Sequence, residues 1–107
     1  MASTPLLGIY KKLITERLAV SYPTVGYAAH RIGIPVRTLQ RRLRESGLSY
    51  SELVEQTRCE LACRLLDQSG AKAAGVARAL GYTDPSSFSR AFRRWTGMSP
   101  RAYRNRN

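Results

Sequence analysis

Apolar residues fall at helical spacing along this chain, and the clearest instance lies between Val76 and Pro100, VARALGYTDPSSFSRAFRRWTGMSP. Phe88, Ala91, Phe92 and Trp95 recur at three- and four-residue intervals, which predicts an amphipathic helix over Pro85 to Thr96. Asp84 offers an N-cap oxygen ahead of it, Pro85 brings a preset φ to the first helical position, and Gly97 closes it. Upstream, Ala77, Leu80 and Gly81 end a shorter helix at a residue that tolerates positive φ. Two helices joined by so short a turn make a helix-turn-helix. The outer face of the second carries Ser86, Ser89, Arg90, Arg93 and Arg94, short hydrogen-bonding groups first and cations further along, as a helix lying in a DNA major groove requires. An Arg-rich face alone is equally the mark of a surface helix that keeps a protein soluble.

Repetition separates those two readings. With Leu80-Gly81 set against Ile32-Gly33, Ala29 matches Ala77, Leu39 matches Phe88, Gln40 matches Ser89, Arg41 matches Arg90, Leu43 matches Phe92 and Arg44 matches Arg93. The register continues past the helix, because Gly47-Leu48-Ser49 returns as Gly97-Met98-Ser99, each followed by an apolar residue, Leu53 or Tyr103. Two copies of one helix-turn-helix are a more specific signal than one basic helix.

The remaining apolar pattern supplies the scaffold. Thr4 with Pro5 caps a first helix whose stripe is Leu6, Tyr10, Leu13, Ile14 and Leu18. Thr24 caps a second through His30, with Gly26 inside it costing roughly 1 kcal/mol against Ala. The third runs from Val36 to Glu45, with Leu39 and Leu43 inward and Arg37, Thr38, Gln40, Arg41 and Arg44 outward. Ser49 with Glu52 forms a capping box that starts a connector over Ser51 to Ser69. Its stripe is Leu53, Thr57, Leu61 and Leu65, with Val54, Ala62 and Leu66 beside it. At about 1.5 Å per residue that connector is about 28 Å long. This approaches the ~34 Å between successive major grooves on one DNA face. A short helix from Ala73 to Leu80 follows.

Charge sharpens the picture. The 107 residues carry a net charge of +11, with a pI near 10.7, which implies a polyanionic partner, either nucleic acid or an anionic membrane surface. From Gly33 to Leu48 there are four Arg and one Glu; from Leu48 to Gly70 four acids, Glu52, Glu55, Glu60 and Asp67, face Arg58 and Arg64; from Pro85 onward there are six Arg and no acid. Basic, mildly acidic, then strongly basic fits two DNA-facing ends and a connector held off the phosphates. No aliphatic run is long enough to span a bilayer, and the N-terminal residues lack a signal peptide's charged and apolar regions. Cys59 and Cys63, four apart on one helix, read as free cytoplasmic thiols. With His30 they lack a fourth metal ligand, and His30 itself reads as a partly exposed helix residue. Paired carboxylates, a metal cluster and a phosphate loop are all missing, so the chain does not read as an enzyme, and no cofactor is expected.

The residues from Ala77 to Arg104 follow the pattern A…LGY-x-D-x-S-x-F-S-R-x-F-[KR]-x-x-x-G-x-S-P-x-x-[YF]-R. The first half adds LQRRL at Leu39 to Leu43, then Arg58-x-x-x-Ala62-x-x-Leu65-Leu66. Together they resemble the AraC/XylS-type bacterial transcription regulators over nearly the whole chain. The resemblance implies an all-α fold of seven helices, with two helix-turn-helix subdomains joined by a long connecting helix: residues 1–48, 49–70 and 71–107. It implies sequence-specific binding of double-stranded DNA at promoters, with both recognition helices, 36–45 and 85–96, in major grooves. By position in the motif, Arg37, Gln40, Arg41, Ser86, Ser89 and Arg90 are the candidate base contacts. Thr38, Arg42, Arg44, Arg93 and Arg94 are the candidate phosphate contacts. Arg pairs bidentately with guanine and Gln with adenine.

The family places Ser before Pro at the start of the first recognition helix, where this chain has Pro35 and Val36, so a frayed or shifted start is expected. It also favours a polar cap, a larger aliphatic and a helix former where this chain has Lys72, Ala73 and Gly75. The helix starting at Ala73 is therefore expected to be the least stable. The same reading adds RNA polymerase and a preceding effector or dimerisation domain as candidate partners, the role of an activator, and a cytoplasmic, nucleoid-associated location. The alternative is a cationic RNA- or membrane-surface-binding helical protein, which would show no preference between promoter duplex and any other polyanion.

Overall fold

The computed structural model describes residues 3–68 and 70–106, with side chains from Leu7 onward. Among them are seven helices and no strand. These are α1 (Ser3–Leu18), α2 (Val25–Ile32), α3 (Val36–Glu45), α4 (Tyr50–Leu66), α5 (Ala73–Ala79), α6 (Pro85–Thr96) and α7 (Pro100–Arg104). The chain divides into two compact units, Met1–Thr57 and Arg58–Asn107, with the division inside α4.

In the first unit α1 packs on α2 and α2 on α3. Tyr10, Ile14 and Leu18 from α1, Ala28 and Ala29 from α2, and Leu39 and Leu43 from α3 are all buried, joined by Tyr50, Leu53, Val54 and Thr57 from α4. The α1 stripe is thus confirmed from Tyr10 on, with Leu13 only half-buried, while the expected Thr4 cap and Leu6 contact fall on side chains outside the described residues. Thr24 caps α2 as expected, its Oγ1 accepting from the Tyr27 N–H at 3.1 Å. Thr57 is a buried polar residue because its hydroxyl donates to the Leu53 carbonyl at 2.8 Å, which removes the cost of an unpaired donor.

In the second unit α5 packs on α6 and α6 on α7. Its core is Leu61, Ala62, Leu66, Val76, Ala77, Leu80, Phe88, Ala91 and Phe92. The rings form a chain, with Phe88 to Phe92 at 5.8 Å between centroids, and Trp95 and Tyr103 meeting Phe92 edge-on at 6.3 and 5.4 Å. Such tilted and edge-on pairs suit the ring quadrupoles. Trp95 stays half-exposed, on the rim of that core.

The internal repeat is present in the backbone. Gly33 and Gly81 both have positive φ, 85° and 88°, and so do Gly47 and Gly97, at 79° and 81°. After each first helix the chain reverses by the same bond: Ile34 N–H donates to the Ala29 carbonyl, and Tyr82 N–H to that of Ala77, the residue paired with Ala29 in the repeat. This is the six-to-one bond of a Schellman turn, which a residue able to take positive φ makes possible. Ser49 and Ser99 repeat as caps, accepting from Glu52 N–H at 3.1 Å and Ala102 N–H at 3.0 Å. Glu52 returns a bond to the Ser49 N–H at 2.8 Å, completing the capping box.

Three expectations need correction. α3 starts at Val36 without fraying, because Thr38 and Leu39 N–H groups both donate to the Pro35 carbonyl even though Pro35 gives no side-chain cap. α4 begins at Tyr50 and ends at Leu66, short of the expected Ser69, which lies outside the described residues. Gln68 N–H turns back to the Leu65 carbonyl and Gly70 takes positive φ, so the helix ends one turn early. Leu65, still within α4, is half-exposed rather than part of the buried stripe, whose last buried member is Leu66.

Candidate nucleic-acid interface

α6 owes its position to its two faces. Phe88, Ala91 and Phe92 hold one face in the core, and what is left outward is Ser86, Arg90, Arg93 and Arg94, with Ser89 half-buried at the edge. The start is fixed by Asp84, whose Oδ1 accepts from the Ser87 N–H at 2.8 Å with Pro85 at the first helical position. At the other end Gly97 donates its N–H to the Arg93 carbonyl at 2.8 Å in a left-handed conformation.

α3 is organised in the same way from a less favourable sequence. Leu39 and Leu43 face inward, and Arg37, Gln40, Arg41 and Arg44 are exposed, with Thr38 and Arg42 half-buried. Within each unit, then, all the outward candidates share one helix, and in both helices the cations other than Arg42 are exposed. The partly covered ones are Thr38, Arg42 and Ser89.

The side-chain contacts differ between the two helices. Arg41 Nε lies 4.0 Å from Glu45 Oε2, an ion pair with both side chains more than half-exposed. Arg90 instead donates from Nη2 to Ser87 Oγ at 3.3 Å, and that hydroxyl donates to Asp84 Oδ2 at 3.0 Å. The Ser87 N–H and hydroxyl hold the Asp84 carboxyl below its ordinary value of 3.8, with the Arg90 charge adding to the effect.

Several polar arrangements here were missed from sequence. Tyr27 on α2 receives Arg17 from α1, guanidinium carbon 4.8 Å from the ring centroid, and Arg31, which also donates Nη1 to the Tyr27 hydroxyl at 2.9 Å. Arg58 stacks on Tyr82 at 4.7 Å, beside the turn of the second helix-turn-helix. Arg106 covers Tyr103 at 3.8 Å and pairs with Asp67 at 3.3 Å. Cys59 and Cys63 are half-exposed and form no disulfide. No described helix is long and apolar enough to cross a membrane.

Comparison with known proteins agrees with this geometry. Residues 28–106 match a family described as a helix-turn-helix domain. The chain is 35% identical over 94 residues to the HTH-type transcriptional regulator VqsM of Pseudomonas aeruginosa, covering 88% of this chain and 29% of that one. It is 43% identical over 76 residues to the HTH-type transcriptional regulator VirS of Mycobacterium tuberculosis, covering 71% of this chain and 22% of that one. The chain thus spans less than a third of the length of these relatives. Among solved structures, a DNA-binding transcriptional dual regulator from Escherichia coli superposes with a TM-score of 0.84 at 29% identity, over 94% of this chain and 90% of that one. The DNA-binding domain of AdpA, a global transcriptional factor solved in complex with a target DNA, superposes with a TM-score of 0.72 at 32% identity, over 92% and 89%. These relatives are transcriptional regulators rather than enzymes, and with both helix-turn-helix units in place the chain belongs to the AraC-type helix-turn-helix family of transcription regulators.

Proposed function

We propose that this chain binds double-stranded DNA in a sequence-specific manner and regulates transcription from promoters, with α3 and α6 as its two recognition helices. The observation that carries the reading is the repeated exposure of arginine and short polar side chains on the outer face of each second helix, above a buried apolar face. The similarity to the AdpA domain, whose structure holds a target DNA, supports it. Arg37, Gln40 and Arg41 on α3, and Ser86, Ser89 and Arg90 on α6, read base edges. Thr38, Arg42, Arg44, Arg93 and Arg94 hold phosphates. Three segments organise this function: 1–48 and 71–107 contact DNA, and 49–70 connects them.

The relatives are several times longer, which supports a role as one part of a regulator whose effector or dimerisation domain lies elsewhere. RNA polymerase is the partner through which such a regulator would activate, in the cytoplasm and on the nucleoid. Selection of bound duplexes from a random pool tests the proposal. It should yield a consensus with two half-sites, and Arg41→Ala or Arg90→Ala should cost about 1–3 kcal/mol on that site and little on random DNA. Equal affinity for selected duplex, random duplex, RNA and anionic vesicles would show a general polyanion binder instead.

A further inference from the structure

The two helix-turn-helix units hold their equivalent arginines in opposite ways. Arg90 and Arg41 occupy the same place in the repeat, as do Ser87 and Thr38, and Asp84 and Pro35. In the second unit the carboxylate of Asp84 is anchored on the helix end by the Ser87 N–H at 2.8 Å, and its second oxygen accepts from Ser87 Oγ at 3.0 Å. The lone pairs left on that hydroxyl face Arg90, whose Nη2 donates to it at 3.3 Å. In the first unit Pro35 has no carboxylate to start such a chain, and Arg41 turns the other way to Glu45 at 4.0 Å.

We propose that Ser87 is a positioning residue for base reading, its hydroxyl relaying the Asp84 carboxylate to Arg90 so that this guanidinium is aimed before DNA arrives. The inference rests on Arg90 reading a base, as proposed above. Arginine carries much rotamer freedom, and binding must freeze it; a side chain already restrained loses less on engagement. The hydroxyl is suited to this relay because it donates to the anion and accepts from the cation at once. Ser87 is half-buried at the start of α6, where its N–H is already held by Asp84 Oδ1. Arg41 has no such relay, and must leave an exposed ion pair to reach a base. The second unit therefore supplies the sharper discrimination at its arginine-contacted position, and the first unit the more tolerant one.

Ser87→Ala tests this cleanly, because the backbone N–H that satisfies Asp84 Oδ1 remains and only the hydroxyl is lost. Affinity for the selected duplex should fall about threefold to tenfold, as for one newly mobile side chain, with random duplex unaffected. Discrimination should weaken only at the base pair that Arg90→Ala also relaxes. Ser87→Thr, which keeps the hydroxyl, should restore it. In an Arg90→Ala background Ser87→Ala should cause no further loss. If Arg90→Ala leaves the consensus unchanged, the assignment of Arg90 as a base reader fails. If Arg90→Ala relaxes one position and Ser87→Ala does not, or if the two losses add, the relay fails while that assignment stands. A melting temperature measured on each variant separates a folding defect, which would lower binding to every duplex alike, and that outcome also overturns the relay.

Discussion

The Tyr50 hydroxyl donates to the Pro23 carbonyl oxygen at 2.5 Å, across 27 positions of sequence, tying the first residue of α4 to the turn ahead of α2. Both partners are buried. Tyr10, on α1 in the same unit, is buried to 2% exposure, yet its hydroxyl has no hydrogen-bond partner among the described residues. Two buried phenols thus contribute with opposite sign, one satisfying a carbonyl and the other carrying an uncompensated desolvation cost.

Removing each hydroxyl should separate them. Tyr50→Phe leaves the Pro23 carbonyl buried without its donor and should cost about 1–3 kcal/mol. Tyr10→Phe should be neutral or stabilising, since nothing is broken and a buried polar atom disappears. Denaturant titration of both variants, read at unchanged m-value, checks the pair. A larger loss for Tyr10→Phe than for Tyr50→Phe would reverse the assignment.

Alkaline pH offers a second reading of the same bond. Burial raises the Tyr50 phenol well above its ordinary value of 10.0, and the neighbouring Tyr22 and Tyr27 add to the rise. A folded-state value above the unfolded one means that the folded chain holds the proton more tightly. The contribution is therefore fully present below pH 10 and is lost as the pH climbs above it. The difference in melting temperature between the unmodified chain and Tyr50→Phe should hold steady up to about pH 10 and shrink beyond it. A difference independent of pH through that range would show that the phenol titrates alike in both states.

Sequence reading placed α3 and α6 to the residue because three signals coincide there. Leu39 and Leu43, or Phe88, Ala91 and Phe92, fix the buried face, and each helix is bounded by a proline at its start and a left-handed glycine soon after its end. The end of α4 was misjudged because Asp67 and Gln68 are as compatible with a helix as with its last turn, and only the reversal at Gly70 distinguishes them. The outward candidates were legible by periodicity. Their restraints were not. The sequence offers each arginine different neighbours, Asp84 against Pro35 and Glu45 against Arg94 at the matching positions, but which of them an arginine takes depends on the rotamer the helix end leaves open.

Glycine substitutions test the expectation that α5 is the least stable helix. α5 has seven residues, and its N-cap Lys72 makes no side-chain capping bond. A Cβ built on Gly75 meets nothing within 4 Å. Gly75→Ala should therefore stabilise the second unit by about 0.5–1 kcal/mol, and should slow amide exchange in α5 more than elsewhere. Gly33 has equally open space but a φ of +85°, so Gly33→Ala should destabilise the first unit by about 1–2 kcal/mol through the backbone alone. Equal effects at the two positions would show that conformational freedom is not what either glycine supplies.

Glu45 is the acid on the exposed face of α3, and its carboxylate has two opposing consequences for DNA binding. It restrains Arg41 at 4.0 Å, but both side chains are largely in solvent, 58% and 68% exposed, so the pair contributes little to folding. It also places a negative charge beside a helix that must approach phosphates, and Arg41 must give up the pair in order to reach a base. Repulsion and the broken pair both weaken binding, while the partial restraint favours it. The restraint is the smallest of the three, because an exposed pair at that distance orders a guanidinium only loosely. Glu45→Ala should leave stability within about 0.5 kcal/mol of the unmodified chain and raise affinity on selected and random duplex alike. The gain should diminish as salt is added, since screening weakens the repulsion that the substitution removes. Lower affinity on the selected site, with random duplex unaffected, would instead mean that Glu45 aims Arg41 as firmly as the Asp84 relay aims Arg90, and the contrast between the two units would disappear.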